Sequence, residues 1–253
     1  MSDVLPLKNG ITYGPVNSRR LGRSLGINLL PPGRKWCTFD CLYCQYGWTP
    51  PTEGSDPSVG VPSPKDVERA AASALAALDP LPAYLTFSGN GEPTLHPGFA
   101  EIVEIIRRLR DRMAPRAKVA LLSNSAGVVA PSMRAAICRI EHPVLKLDAG
   151  NEFFFRAYNR PVPGIDYDAV VRGLKETPGI MIQTLFTAGP KGNLQEAHLD
   201  DWIGRIKEIR PVDIQIYTLA RPVPSPDITP APAAALIEIR DRLRREGLSA
   251  QIF

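Results

Sequence analysis

The sequence predicts an α/β protein built as a partial (β/α)6 barrel of the TIM type, and three observations carry that prediction. Apolar runs of strand length alternate with longer stretches whose apolar residues recur at helical spacing. The strand runs are apolar on both faces, as in a parallel sheet covered by helices. The chain has 253 residues, the size of one such barrel in a single domain.

The elements follow in order. Segment 24–30 reads as the first strand, leading into a cysteine-rich loop, and the Pro-rich stretch 49–64 is a long connection of the kind that often carries function. Ser63 as N-cap and Pro64 at the first position start a helix with Val67, Ala70, Ala71, Ala74, Leu75 and Leu78 on one face. Strand 83–88 precedes helix 97–113, whose Phe99, Ile102, Val103, Ile106, Leu109 and Met113 keep helical spacing. Strand 118–124 precedes a short helix, 132–140, in which Cys138 reads as a small core residue. Strand 144–149, helix 166–176, strand 180–187 and helix 194–210 continue the alternation, with Leu199, Trp202, Ile203, Ile206 and Ile209 inward. Strand 213–219 and helix 233–246 complete six units; Gly247 is the expected C′ residue, and 248–253 is expected to add a small edge strand.

Composition narrows the function classes. An apolar fraction of 44% is that of an ordinary globular protein. No run approaches the roughly 18 apolar residues of a membrane span, and Met1-Ser2-Asp3 opens no apolar leader. The expected location is the cytoplasm. The net charge of +4 is mild, and the arginines around 107–110 and 240–245 read as solvated outer helix faces.

The chemistry is concentrated in Cys37-Thr38-Phe39-Asp40-Cys41-Leu42-Tyr43-Cys44. Three thiolates can hold three irons of a 4Fe-4S cluster and leave the fourth iron open to a small molecule. A structural zinc site wants four closed ligands, commonly paired C-x2-C elements, and only one C-x2-C exists. A ferredoxin run wants a further cysteine three residues on, where Trp48 stands. Disulfides suit small secreted scaffolds, and a cluster on thiolates demands a reducing compartment.

With this C-x3-C-x2-C motif the chain resembles the radical S-adenosylmethionine enzymes from Tyr13 onward. The resemblance implies that Cys37, Cys41 and Cys44 bind the cluster and that the open iron takes the amino and carboxylate groups of S-adenosylmethionine. Reductive cleavage would then yield a 5'-deoxyadenosyl radical that abstracts hydrogen from a substrate, radical chemistry of the oxidoreductase or lyase type. Tyr43 matches the aromatic beside the adenine; a packed loop aromatic is the plainer reading. A ferredoxin or flavodoxin is implied as electron donor.

In a parallel barrel the residues just after each strand share one rim, where sites are built. Ser88-Gly89-Asn90-Gly91-Glu92-Pro93 follows the second strand; its glycines allow close backbone approach, and it resembles the Gly-Gly-Glu element that meets the cofactor's amino group. Ser123 and Asn124 match a Ser/Thr-Asn pair that supports ribose or carboxylate contacts. Lys146 and Asp148 share one face of an extended strand, as substrate or cofactor contacts or as an internal salt bridge. Arg160 offers a bidentate clamp for a carboxylate or phosphate. Gln183, Gln215 and Tyr217 alternate with aliphatic residues, as inward polar side chains of a pocket do. Arg221 lies just beyond the last rim strand, and His96 serves either the rim or the start of the next helix.

Tyr13-Gly14-Pro15-Val16, Ser18-Arg19-Arg20-Leu21-Gly22, Ser24-Leu25-Gly26, Gln45-Tyr46-Gly47, Gly91-Glu92-Pro93, Leu147-Asp148-Ala149 and Gln215-Ile216-Tyr217 together resemble the branch of wybutosine-synthesis (tRNA 4-demethylwyosine synthase-like) enzymes. Those enzymes carry a second cysteine set; no cysteine precedes Cys37 here, so a second all-cysteine cluster is excluded by ligand count. The end at Phe253 adds the expectation that no RNA-recognition domain is appended. Arg19, Arg20, Arg23, Arg34 and Lys35 form a phosphate-receiving patch or tie the N-terminal arm to the barrel. The expected organisation is a radical S-adenosylmethionine domain over 1–253, with an arm at 1–23, the partial barrel at 24–247 and the edge segment at 248–253. The substrate class stays open between a small molecule or peptide and an RNA base of the wybutosine type. The competing class is a non-enzymatic iron-sulfur or zinc protein serving electron transfer.

Overall fold

The computed structural model describes residues 4–50 and 59–253, so part of the Pro-rich connection read at 49–64 lies outside the described residues. Its strands are β1 (Thr12–Ser18), β2 (Gly22–Ile27), β3 (Tyr84–Phe87), β4 (Lys118–Ser123), β5 (His142–Lys146), β6 (Met181–Leu185), β7 (Thr187–Ala188), β8 (Asp213–Tyr217), β9 (Thr229–Pro230) and β10 (Ala250–Ile252). Its helices are α1 (Pro64–Ala76), α2 (Phe99–Met113), α3 (Pro131–Ile137), α4 (Glu152–Phe154), α5 (Tyr167–Lys175), α6 (Glu196–Ile209) and α7 (Ala233–Arg245). The main sheet runs β1-β2-β3-β4-β5-β6-β8-β10, and the short pair β7-β9 is antiparallel. From β2 to β10 every neighbour is parallel and reached through a helical connection, so the six expected βα units are present. The order begins at β1 and ends at β10 without joining them, which leaves the barrel partial.

Local chemistry accounts for the element ends. Ser63 caps α1 by accepting from the Asp66 amide at 3.2 Å, and Asp166 caps α5 by accepting from Ala169 at 2.6 Å. Gly247 takes a positive φ of 73° just past α7, and Leu248 N–H donates to Leu243, closing the helix before β10. The apolar stripes of α2 and α6 face the sheet, where Phe99, Ile102, Ile106, Trp202 and Ile206 are fully buried. Trp202 is therefore core, its indole N–H donating to the Leu147 carbonyl at 2.9 Å.

Two expectations are corrected and one element is added. The segment assigned to an N-terminal arm, 1–23, contains a full strand, β1, antiparallel to β2, with a register break between Tyr13 and Val16. Gly14-Pro15 interrupts the alternation that would reveal it, and an edge strand is where a proline is tolerated. Cys138 is exposed, not core: α3 ends at Ile137, which takes the buried position, and Cys138 is turned outward at its C-cap. Residues 152–159, assigned no element from the sequence, form α4 and a π-helical turn, Phe155–Asn159.

Register places the rim. Lys146, Gln183 and Gln215 lie directly opposite one another on β5, β6 and β8, so they share one level and one face of the sheet. Among the described residues no helix is long and apolar enough to cross a membrane.

Candidate functional site

The cysteine loop is laced into the rim from both sides. On one side Trp36 N–H donates to the Asn90 carbonyl at 2.8 Å and Glu92 N–H to the Trp36 carbonyl at 2.9 Å. This lacing requires glycine: Gly91 has φ 143°, and a Cβ there would run into the Trp36 carbonyl oxygen. Gly89, with φ 142°, lies against the buried Asn28 side chain, which accepts from Asn90 N–H at 3.0 Å. On the other side Asp40 N–H reaches the Asn159 and Arg160 carbonyls at 3.1 Å, Leu42 N–H the Tyr158 carbonyl at 3.1 Å, and Val162 N–H the Thr38 carbonyl at 2.9 Å. Cys44 N–H closes a turn onto Cys41 at 3.1 Å.

The three thiols are free, with Cys41 buried and Cys37 and Cys44 half-buried. Amide donors converge on two of them: Asn124 Nδ2 lies 3.4 Å from Cys37 Sγ, and Asn159 Nδ2 lies 3.5 Å from Cys41 Sγ. Burial, then neighbouring Cys41 and Glu92, pushes the Cys37 thiol well up. Burial and the Asp148 carboxylate push Cys41 up to about 11. A crowded, like-charged set of soft donors of this kind is stabilised as thiolates only by a strong local positive charge, which an iron-sulfur cluster supplies. Among the described residues no three His, Cys, Asp or Glu side chains gather around one point suited to a single ion. Three free thiols on one loop, two of them lining one cavity, are the soft donor set that three irons of one cluster take.

Glu92 ties the second rim loop to the third. Its buried carboxylate accepts from Thr94 N–H at 3.1 Å, Thr94 Oγ1 at 2.7 Å, Ser123 Oγ at 2.9 Å and Asn124 N–H at 2.6 Å. Burial still drives its pKa upward against those four hydrogen bonds. The next residue, Ser125, is a buried non-glycine at φ 76°, a left-handed conformation costing about 1 kcal/mol or more and held by its hydroxyl on the Lys146 carbonyl at 2.7 Å.

Lys146 and Asp148 anchor a second network. Asp148 accepts from Tyr43 Oη, from Asn159 Nδ2 at 2.8 Å and from Leu185 N–H at 2.9 Å, and Lys146 Nζ approaches it at 3.4 Å. Lys146 Nζ also donates to Tyr217 Oη at 2.8 Å, and that hydroxyl donates to Gln183 Oε1 at 3.2 Å. The ammonium lies 4.6 Å from the Tyr43 ring centroid and 5.1 Å from that of Tyr217. Burial opposes its charge, but Asp148 and Tyr217 outweigh that, so its pKa is raised and it stays an ammonium.

A cavity of about 680 Å³ opens between the N-terminal hairpin, the cysteine loop and β8. Cys37, Cys44, Gly89, Gly91, Ser88 and Tyr217 are among its walls.

The structure thus brings Tyr43, Asp148, Lys146, Gln183 and Tyr217 into one network beside Cys41, and Glu92, Ser123 and Asn124 into another beside Cys37. Asn90 and Arg160 go elsewhere. The Asn90 amide is occupied by Lys8 and Pro31 carbonyls at 2.8 and 3.0 Å, stapling down the N-terminal segment. Arg160, at φ 49°, pairs with Asp40 at 3.2 Å and stacks on Trp48 at 4.8 Å. His96 starts α2, bridging the Pro62 carbonyl at 2.8 Å and Gly98 N–H at 3.0 Å. Sequence reasoning missed Asn28 and the pairing role of Asn159. The only signal for Asn28 was a polar residue following an apolar strand; Asn159, at the end of a π-helical turn, carried none.

The sequence pattern of the Radical SAM superfamily matches residues 34–203. A UPF0026 protein of Synechocystis is 30% identical over 218 residues, covering 84% of this chain and 76% of that one. A UPF0026 protein of Methanocaldococcus jannaschii is 34% identical over 65% of this chain and 48% of its own length. A chain named GTPase Obg of Brachyspira hyodysenteriae is 30% identical over 85% of this chain, which spans only 31% of that protein. Among solved structures, TYW1 with a lysine-pyruvate adduct bound superposes with a TM-score of 0.61 at 16% identity, covering 88% of this chain and 73% of that one. Streptococcus suis SuiB bound to S-adenosylmethionine gives 0.64 at 14%, covering 90% and 50%. With its three cysteines on the rim of a partial barrel of this fold, the chain belongs to the radical SAM superfamily.

Proposed function

We propose that the protein is an enzyme that holds a 4Fe-4S cluster on Cys37, Cys41 and Cys44 and binds S-adenosylmethionine against it to abstract hydrogen from a substrate in the adjoining cavity. The observation that carries this reading is the lacing of one three-thiol loop to the glycine rim, beside a cavity that two of the thiols enter. When bound, cluster and cofactor together supply a 5'-deoxyadenosyl radical, and the protein's part is orientation and exclusion of water and oxygen. Gly89 and Gly91 let the rim backbone close on Asn28 and Trp36, which fixes the loop beside the cofactor's methionyl end. Glu92 and Asn90 act through the loop they brace, since their oxygens and amides are engaged. Ser123 and Asn124 lie on the Cys37 side of the cofactor's position, and Tyr43 with Asp148 lies on the Cys41 side. Lys146, Gln183 and Tyr217 orient the substrate; held as an ammonium, Lys146 is a hydrogen-bond donor rather than a nucleophile. Arg160 steadies the cysteine loop. A reducing compartment such as the cytoplasm, and a donor of the ferredoxin or flavodoxin class, complete the reading.

The test is anaerobic. Protein reconstituted with iron and sulfide receives S-adenosylmethionine and dithionite, and 5'-deoxyadenosine is quantified beside a variant with Cys37, Cys41 and Cys44 changed to Ala. Production that vanishes in the variant supports the reading; a full cluster that yields none contradicts it and favours an electron-transfer or binding role.

A further inference from the structure

The cavity walls are unbalanced in charge. Lys8, Arg19, Arg20, Lys35 and Arg221 line the cavity, and no Asp or Glu does among the described residues. None of the five forms an ion pair among the described residues; Arg19 and Arg221 are exposed, but Lys8 and Arg20 are half-buried and Lys35 is buried, where most other cations of the molecule are paired. Lys35 is buried, with its ammonium on the Gly47 carbonyl at 2.7 Å, and Lys8 lies 5.0 Å over the Tyr13 ring. The Arg20 guanidinium lies 4.9 Å over the Tyr217 ring, whose hydroxyl takes the Lys146 ammonium. Its Nη1 is buried and has no hydrogen-bond partner among the described residues. A buried donor left unmade destabilises the fold by about 1–3 kcal/mol, more when charged, unless something else accepts from it.

Resting on the reading above, we propose that the substrate is a small anion whose carboxylate or phosphate docks on Arg20, with Arg221 at the mouth of the cavity and Lys35 at its cysteine end. Guanidinium is suited to this because its planar fork matches either group bidentately. The cavity volume, about 680 Å³, is that of a small-ligand site. Cys37 and Cys44 share the cavity with Arg20, so a ligand seated there lies beside the site of radical formation. Arg20 thereby acts as a specificity-determining residue.

The experiment titrates reconstituted protein, saturated with S-adenosylmethionine, with inorganic phosphate and separately with succinate, at constant ionic strength and by calorimetry. One saturable site for either anion is expected, and the anion that binds identifies the group the substrate carries. Arg20→Gln should weaken it at least about tenfold, Arg221→Gln less, and Arg20→Lys should recover part of the loss. If Arg20→Gln does not fold, the exposed Arg221→Gln and the parent titrations decide alone. No saturable binding, binding indifferent to both arginines, or binding abolished by S-adenosylmethionine, whose own carboxylate would then occupy the cations, overturns the proposal. Binding of tRNA without a small-anion site overturns it too. Deoxyadenosine without an anion site defeats this inference alone; an anion site without deoxyadenosine leaves the site standing and defeats the enzyme reading.

Discussion

The outer helical faces and the inner rim treat charge in opposite ways. Outside, arginines meet acids locally: Arg110 reaches Glu141 at 2.6 Å, Arg134 reaches Glu176 at 2.7 Å, and Arg242 reaches Glu196 at 2.7 Å and also pairs with Asp200. These pairs are partly solvated, so each contributes little and is screened by salt. Inside, carboxylates are saturated by hydrogen bonds, as at Glu92 and Asp148, while five cavity cations form no ion pair among the described residues. Outer charge is neutralised locally at little net gain, whereas the rim leaves its cations to the anion proposed above.

The comparison can be broken first at the rim's backbone. Gly91→Ala forces a Cβ against the Trp36 carbonyl at a φ of 143°, so we expect a loss of about 3 kcal/mol or more and failure to retain iron. Gly179→Ala, at φ 75° in open space on the outer surface, should lose only about 1 kcal/mol and keep the cluster. Denaturant melts and iron content measured on both variants would expose an error if the two losses matched.

Asp148→Asn comes next. It leaves the half-buried Lys146 ammonium without its carboxylate and puts an amide where Tyr43 and Asn159 both donate. A loss of about 3 kcal/mol is expected, smaller in the double variant with Lys146→Met, because removing both charges leaves no unpaired ammonium. Double-mutant-cycle unfolding measures the coupling; additive losses would place Lys146 outside the network.

On the outer face, Glu141→Gln should cost about 1 kcal/mol at pH 7. Although burial works against it, the Arg110 guanidinium with backbone N–H donors holds the Glu141 carboxyl below its ordinary range. Its contribution is therefore complete above about pH 4.3, the unfolded value, and lost as pH falls through the lower folded value. The difference between variant and parent should vanish in acid and persist at neutral pH, which unfolding at a series of pH values would check. The smallest effects separate the regions most sharply. Arg242→Gln is expected to lower stability by under about 1 kcal/mol and leave anion affinity untouched. Arg20→Gln is expected to do the reverse.

The fold was legible because its signals are local and repeated. Helical spacing in α2 and α6, the Ser63 cap and Gly247 each report their own element, and six such units admit few arrangements. The β1 strand was not legible, because Gly14-Pro15 breaks the alternation and pairing with β2 supplies what the pattern lacks. At the site, the sequence placed residues on the rim but not the direction of their hydrogen bonds. Gly89 and Gly91 read as room for a ligand, and much of that room is taken by Asn28 and Trp36 of the chain itself. Arg160 read as a ligand clamp, yet a left-handed backbone after a π-helical turn sends it to Asp40 and Trp48. The Arg20 side chain was ambiguous between a patch and a tether, since only the three-dimensional cavity reveals which charges share a wall.

The central claim is that the rim holds a cluster with one iron open to the cofactor. Electron paramagnetic resonance of the anaerobically reconstituted, dithionite-reduced protein, recorded before and after addition of S-adenosylmethionine, tests it most directly. The account predicts a reduced 4Fe-4S signal whose g-values shift when the cofactor binds and which is absent when Cys41 is changed to Ala. A cluster signal indifferent to S-adenosylmethionine, or a protein that takes up zinc and no iron, would contradict it.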